Sequence, residues 1–280
     1  MPTIKEIEYR GHDTQDTTIK VTSDLLDLKT ILENTTFNEE IPSKRSLKSI
    51  KQESFSFYNR HYSLHDIPFT CEKSVGPFKI ELNGLLNPFS LPISKVKIND
   101  SFYGLLNETL IIGEQIKLVY RGISLSKNIT DLTSLAYTHE ISHTQVNNVC
   151  GLIKYYYNSE ILSIFNELLA AYEKQDGEKL LQIHDRHRLE ELRESISVLK
   201  DLQSIDEDII EASCYCASTL KAYYLFSMYY YGDQLTRDSI INQIQKTFNH
   251  QNTLEENLSE LGVPSSELPD STYLKKYLHR

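Results

Sequence analysis

His139-Glu140-Ile141-Ser142-His143 is the segment that most restricts what this chain can fold into. On a helix, residues four apart share a face, so the two imidazoles can grip one metal ion. Glu140 then lies about 100° round the helix, where it reaches a metal-bound water without being a ligand. The flanking residues suit a helix. Asp131 can cap its first turn, and Leu132, Leu135, Ala136 and Val146 give an apolar stripe near the histidines. Cys150-Gly151 offers a stop, because Gly readily ends a helix in a left-handed conformation.

A hydrolytic zinc site needs three protein ligands and one position left for water. Glu160, Glu167 and Glu173 lie on the next predicted helix, from about Ser159 to Gln175. Its apolar face is supplied by Leu162, Phe165, Leu168, Leu169 and Tyr172. Glu167 sits inside the apolar run Phe165-Asn166-Glu167-Leu168-Leu169, where a carboxylate is expensive unless something pairs with it. A dication would do so, which makes Glu167 the preferred third ligand. Glu160, at the predicted helix start, is already accounted for by the helix dipole. Glu173 falls in a polar last turn. Both stay open as alternatives.

With Glu167 included, the pattern resembles the gluzincins, zinc metallopeptidases with an H-E-x-x-H helix and a glutamate on a following helix. The interval from His143 to Glu167 is closer to that of the thimet oligopeptidase and oligoendopeptidase group than to thermolysin-like enzymes. Tyr137-Thr138 and Asn166-Glu167-Leu168-Leu169-Ala170 are compatible with such a site, over roughly His139 to Glu173. The resemblance implies one Zn2+, a peptide or protein substrate, and Glu140 as general base. It also implies a downstream tyrosine that holds the reacting carbonyl. Ala222-Tyr223-Tyr224 is similar to the Gly-Tyr-Tyr of that region, which makes Tyr223 the preferred candidate, with Tyr215, Tyr224 and Tyr230 as alternatives. The histidine those enzymes place upstream has no counterpart in Glu211-Ala212-Ser213-Cys214-Tyr215.

The implied fold class is α+β and zincin-like. A strand-rich part with a small sheet is expected over residues 1–125, and a mainly helical, metal-carrying part over 126–280. Candidate strands are Thr18–Thr22, Ser54–Tyr58, Phe78–Leu82, Lys95–Ile98, Thr109–Ile112 and Gln115–Arg121, with one helix near Asp24–Asn34. In zincins an edge strand beside the metal helix grips substrate backbone by β-addition. Gln115–Arg121 alternates in character and is the candidate edge. After the two ligand helices, further helices are expected at Glu178–Gln203, Asp206–Tyr231, Thr236–Asn249 and Thr253–Leu261, with Gly232 and Gly262 marking ends.

Composition narrows the function classes. Acidic residues outnumber basic ones 39 to 29, for a formal charge of -10, and no basic stripe appears, so nucleic acid is not an expected partner. Met1-Pro2-Thr3-Ile4-Lys5-Glu6 lacks the apolar core of a secretory signal. No apolar run approaches membrane-spanning length. Cys71, Cys150, Cys214 and Cys216 suit neither a disulfide framework nor a four-Cys zinc site. The expectation is a cytoplasmic protein with reduced thiols, with export by a route lacking such a signal left open. His184-Asp185-Arg186-His187-Arg188 reads as a solvated helix face. The competing reading is a catalytically silent zincin-like protein, or a helical protein-binding module.

Overall fold

A computed structural model describes residues 5–9, 17–21, 44–75, 78–90, 93–95, 104–112, 116–125, 130–146, 152–200, 207–249, 251–263, 272–278 and 280. Side chains are described at 44–66, 85, 87–89, 130–146, 159–195, 215–249, 251–263, 272–278 and 280. The predicted helix at Asp24–Asn34 and the Cys150-Gly151 stop fall outside these residues. The chain's contacts cluster into two units, one of Met1–Ile41 with Val146–Arg280, the other of Pro42–Gln145.

The second unit begins with helix α1 (Leu47–His61) and ends with helix α2 (Asp131–Gln145). The Ser46 side chain caps α1 by accepting from the Ser49 amide at 3.1 Å, which satisfies one of the free donors of the first turn. Ile50, Ser54, Phe57 and Tyr58 recur at helical spacing and are buried. This corrects the strand expected at Ser54–Tyr58. Phe-Ser-Phe alternates over too short a stretch to outweigh the cap and the longer helical stripe.

Between the two helices run β3 (Ile67–Val75), β4 (Phe78–Leu86), β5 (Ile93–Lys95), β6 (Gly104–Ile112) and β7 (Ile116–Leu125); β1 (Lys5–Tyr9) and β2 (Thr17–Val21) pair antiparallel in the other unit. β3 pairs antiparallel with β4, and β5 pairs parallel with β7. Ile116–Val119 of β7 is matched both by Thr70–Lys73 of β3 and by Thr109–Ile112 of β6. One residue pairs with two strands only by using both of its edges, so within the expected substrate edge at Gln115–Arg121 the stretch Ile116–Val119 is occupied on both sides.

The α+β, zincin-like expectation with a strand-rich half is corrected by where the core lies. Residues described down to their side chains are 81% helical and form no sheet. Every described buried apolar side chain is on a helix or within three residues of one. The part described down to its side chains is helical. Period-two alternation is a weak guide here because short apolar runs satisfy both strand and helix patterns.

The first unit carries α3 (Leu152–Tyr172), α4 (Gly177–Lys200), α5 (Glu207–Tyr231), α6 (Gln234–Phe248), α7 (Leu254–Glu260) and α8 (Thr272–Leu278). Helices α3, α4 and α5 pack pairwise on one another. Phe165 and Tyr172 of α3 meet Phe226 of α5 edge-on, with ring centroids 6.3 and 6.2 Å away. Asp233 caps α6, and Thr253 with Glu256 forms a reciprocal capping box on α7. Gly262, at φ 72°, closes α7 as the Val263 amide reaches back to the Leu258 carbonyl. Among the described residues no helix is long and apolar enough to cross a membrane.

Candidate metal centre

Helix α2 is polar in sequence yet buried from Thr133 to Gln145. Buried polar groups are costly unless hydrogen-bonded, and α1 meets that demand along one face. Ser134 Oγ donates to Glu53 Oε2 at 3.1 Å. Thr138 Oγ1 reaches Ser54 Oγ at 3.2 Å. Tyr58 Oη donates to the Thr138 carbonyl at 2.6 Å and lies 2.6 Å from Ser142 Oγ. Gln145 fastens the helix end by accepting from the His65 amide at 2.7 Å and donating to its carbonyl at 3.1 Å. Asp131, expected as a cap, sits inside the first turn and binds Arg45 at 2.5 Å.

Ser134, Thr138 and Ser142 are thereby held against α1, and the adjacent stripe, about 100° round, presents His139 and His143. Their Nε2 atoms lie 2.8 Å apart, with the residues 6% and 8% exposed. At that separation one nitrogen carries the hydrogen and the other the lone pair. Two nitrogens at about 2.0–2.1 Å from a tetrahedral zinc stand roughly 3.3 Å apart. The rings need open by only about half an ångström to exchange the shared hydrogen for a cation, so this pair fits a divalent ion. Glu140, the next residue along the helix, is 4% exposed.

The three glutamates proposed for the third position belong to the first unit. Its ligand helix begins at Leu152 instead of near Ser159, so Glu160 sits in mid-helix and the dipole does not account for it. Glu160 and Glu167 are two turns apart and share a face, which is why sequence alone could not separate them. Glu173 lies beyond the helix end, its amide donating to the Leu169 carbonyl.

Glu167 is 2% exposed and has found its charge partner. Its Oε2 accepts from Arg188 Nη2 at 2.5 Å, from Arg188 Nε at 2.9 Å, and from His184 Nε2 at 3.1 Å. Burial depresses the Arg188 guanidinium, but Glu167 beside it more than reverses this and holds it charged well above its usual range. Arg188 also donates to Tyr215 Oη at 2.8 Å. The inference that a buried carboxylate needs a cation was sound, but an arginine provides it.

Tyr223 departs from its expected place at the reacting carbonyl. It is fully buried, and its hydroxyl donates to Asp185 Oδ1 at 2.8 Å. Burial pushes the Asp185 carboxyl up, opposed by Arg280, whose Nη2 donates to Oδ2 at 2.8 Å. Burial and Asp185 both push the Tyr223 hydroxyl up. The solvated face expected at His184–Arg188 is corrected by the same contacts. Leu181, His184, Asp185, Leu189 and Leu192 are all buried, and their spacing is that of a helical stripe. That spacing was the available signal for His184, Asp185 and Arg188, and the surrounding charges masked it.

No family model matches the chain, and no curated protein or solved structure matches it.

Proposed function

We propose that the chain is a zinc-dependent hydrolase of peptide bonds, with His139 and His143 as ligands and Glu140 as general base. The observation that carries this reading is the buried, convergent pair of Nε2 atoms on a helix that α1 holds through Ser134, Thr138 and Ser142. Glu167, the third ligand that the sequence favoured, is committed to Arg188 and His184.

Bound zinc would supply Lewis acidity and bring the pKa of its water toward neutrality. Glu140 takes the water's proton and later passes it to the leaving amine. Tyr58 and Gln145, through Thr138, Ser142 and His65, hold the helix so that the two imidazoles keep one facing direction. Tyr223 has no part in this scheme. The substrate is a peptide or protein. A cytoplasmic, reducing setting belongs to the same proposal, in keeping with the free, buried Cys216.

The test is a peptide-library digest with and without a chelator, on the native chain and on Glu140→Gln. Chelator-sensitive cleavage that falls about 10²–10⁴-fold in Glu140→Gln, with zinc retained, supports the reading. Cleavage equal in both proteins, or none in zinc-loaded native protein, removes it.

A further inference from the structure

A face of α1 that takes no part in packing against α2 carries a second, independent signal. Leu47, Lys48, Lys51, Gln52 and Phe55 form one stripe of the helix and, with Phe89, line a shallow cavity of about 670 Å³. Phe55 is 41% exposed, and its ring meets Phe89 edge-on at 5.2 Å. Together they make an apolar floor. Lys51 Nζ donates to the Phe89 carbonyl at 3.3 Å, which ties the two sides of the cavity and leaves further N–H groups for a ligand.

The charge at this place runs against the rest of the chain. Residues 42–61 hold Lys44, Arg45, Lys48, Lys51 and Arg60 against Glu53 alone, in a protein of net charge -10. Arg45 is engaged by Asp131 and Glu53. Lys48 and Lys51 lie in the first half of α1, which has no acidic residue in its first turn. Cations there oppose the helix dipole, so helix stability does not explain them. Burial further lowers the Lys51 ammonium, a cost that a carboxylate ligand would offset.

We infer that this cavity docks a short acidic peptide segment bearing one aromatic or aliphatic anchor. The anchor enters the Phe55–Phe89 floor, and flanking carboxylates meet Lys48 and Lys51. A shallow cavity of this size suits a short segment, and the negative field of the whole chain disfavours a long polyanion. The site stands apart from the metal reading, which it neither needs nor supports.

The probe is a fluorescein-labelled peptide with one Phe and one Leu among glutamates, titrated into the full chain in chelator and followed by polarisation. Its controls are the same peptide with lysines for glutamates, a single-stranded oligonucleotide, and phosphatidylserine vesicles. The acidic peptide is expected to bind at least about tenfold more tightly than the basic one. Phe55→Ala should weaken it about tenfold, and Lys48→Glu with Lys51→Glu should invert the charge preference. Both positions lie on the outer face of α1, and circular dichroism checks that the variants stay folded. Equal binding of both peptides, no binding at millimolar concentration, or tighter binding of oligonucleotide or vesicle overturns the proposal. So does self-association lost in Phe55→Ala, which would make the face a contact between copies of this chain.

Discussion

The Tyr58 hydroxyl donates to the Thr138 carbonyl oxygen at 2.6 Å, one residue before His139 of α2. It also lies 2.6 Å from Ser142 Oγ, one residue before His143. A single buried side chain of α1 thus sets the rotation of α2 at both turns that carry an imidazole.

Tyr58→Phe should therefore act on stability and metal affinity together. Loss of the hydroxyl removes the buried hydrogen bonds to the Thr138 carbonyl and Ser142 Oγ, at a cost of about 1–3 kcal/mol. Thermal unfolding should shift down by several degrees, and zinc affinity should fall about tenfold, as positioning groups of metal ligands typically do. An unchanged melting temperature and zinc Kd would show that the helix is held by other means.

Glu167 controls stability through its ion pair. Arg188→Met should destabilise by about 3–5 kcal/mol, because it strands a buried carboxylate at Glu167, and should leave zinc affinity in the folded fraction unchanged. Calorimetric zinc titration beside urea unfolding reads both. Loss of zinc in Glu167→Gln would restore Glu167 as the ligand.

Lys221 gives the chain a defined alkaline dependence. Burial lowers its ammonium to about 8 from 10.5, opposed by Glu255. Below pH 8 both folded and unfolded chains carry the proton, and folding bears the full burial cost. Between about 8 and 10.5 the unfolded chain still binds the proton and the folded one does not, so stability rises with pH. The gain is on the order of 3–4 kcal/mol, at about 1.4 kcal/mol for each pH unit of that window. Urea unfolding of native protein and Lys221→Met at a series of pH values measures it. The variant should lose the rise, and a native curve already flat over that window would refute the account.

Helix α2 was legible because its pattern is local. Residues four apart share a helix face whatever surrounds them, so His139 and His143 meet as their spacing requires. The C-terminal helices were legible for the same reason, with Asp233, Thr253 and Gly262 acting as punctuation. What failed depended on tertiary partners. Ser54–Tyr58 alternates like a strand, yet Ser46 and the Ile50–Tyr58 stripe make it helix. Glu167 needed a cation, and nothing local says that Arg188, from another helix, supplies it. Tyr223 was picked out by the run Ala222-Tyr223-Tyr224, but the buried carboxylate that claims its hydroxyl lies on a different helix.

Zinc titration of the metal-stripped full chain, run in parallel on His143→Ala, tests the central claim most directly. The account predicts one ion per native chain, with affinity at least about a hundredfold weaker in His143→Ala while the fold is kept. No saturable zinc binding by the native chain, or equal binding by both proteins, would contradict it.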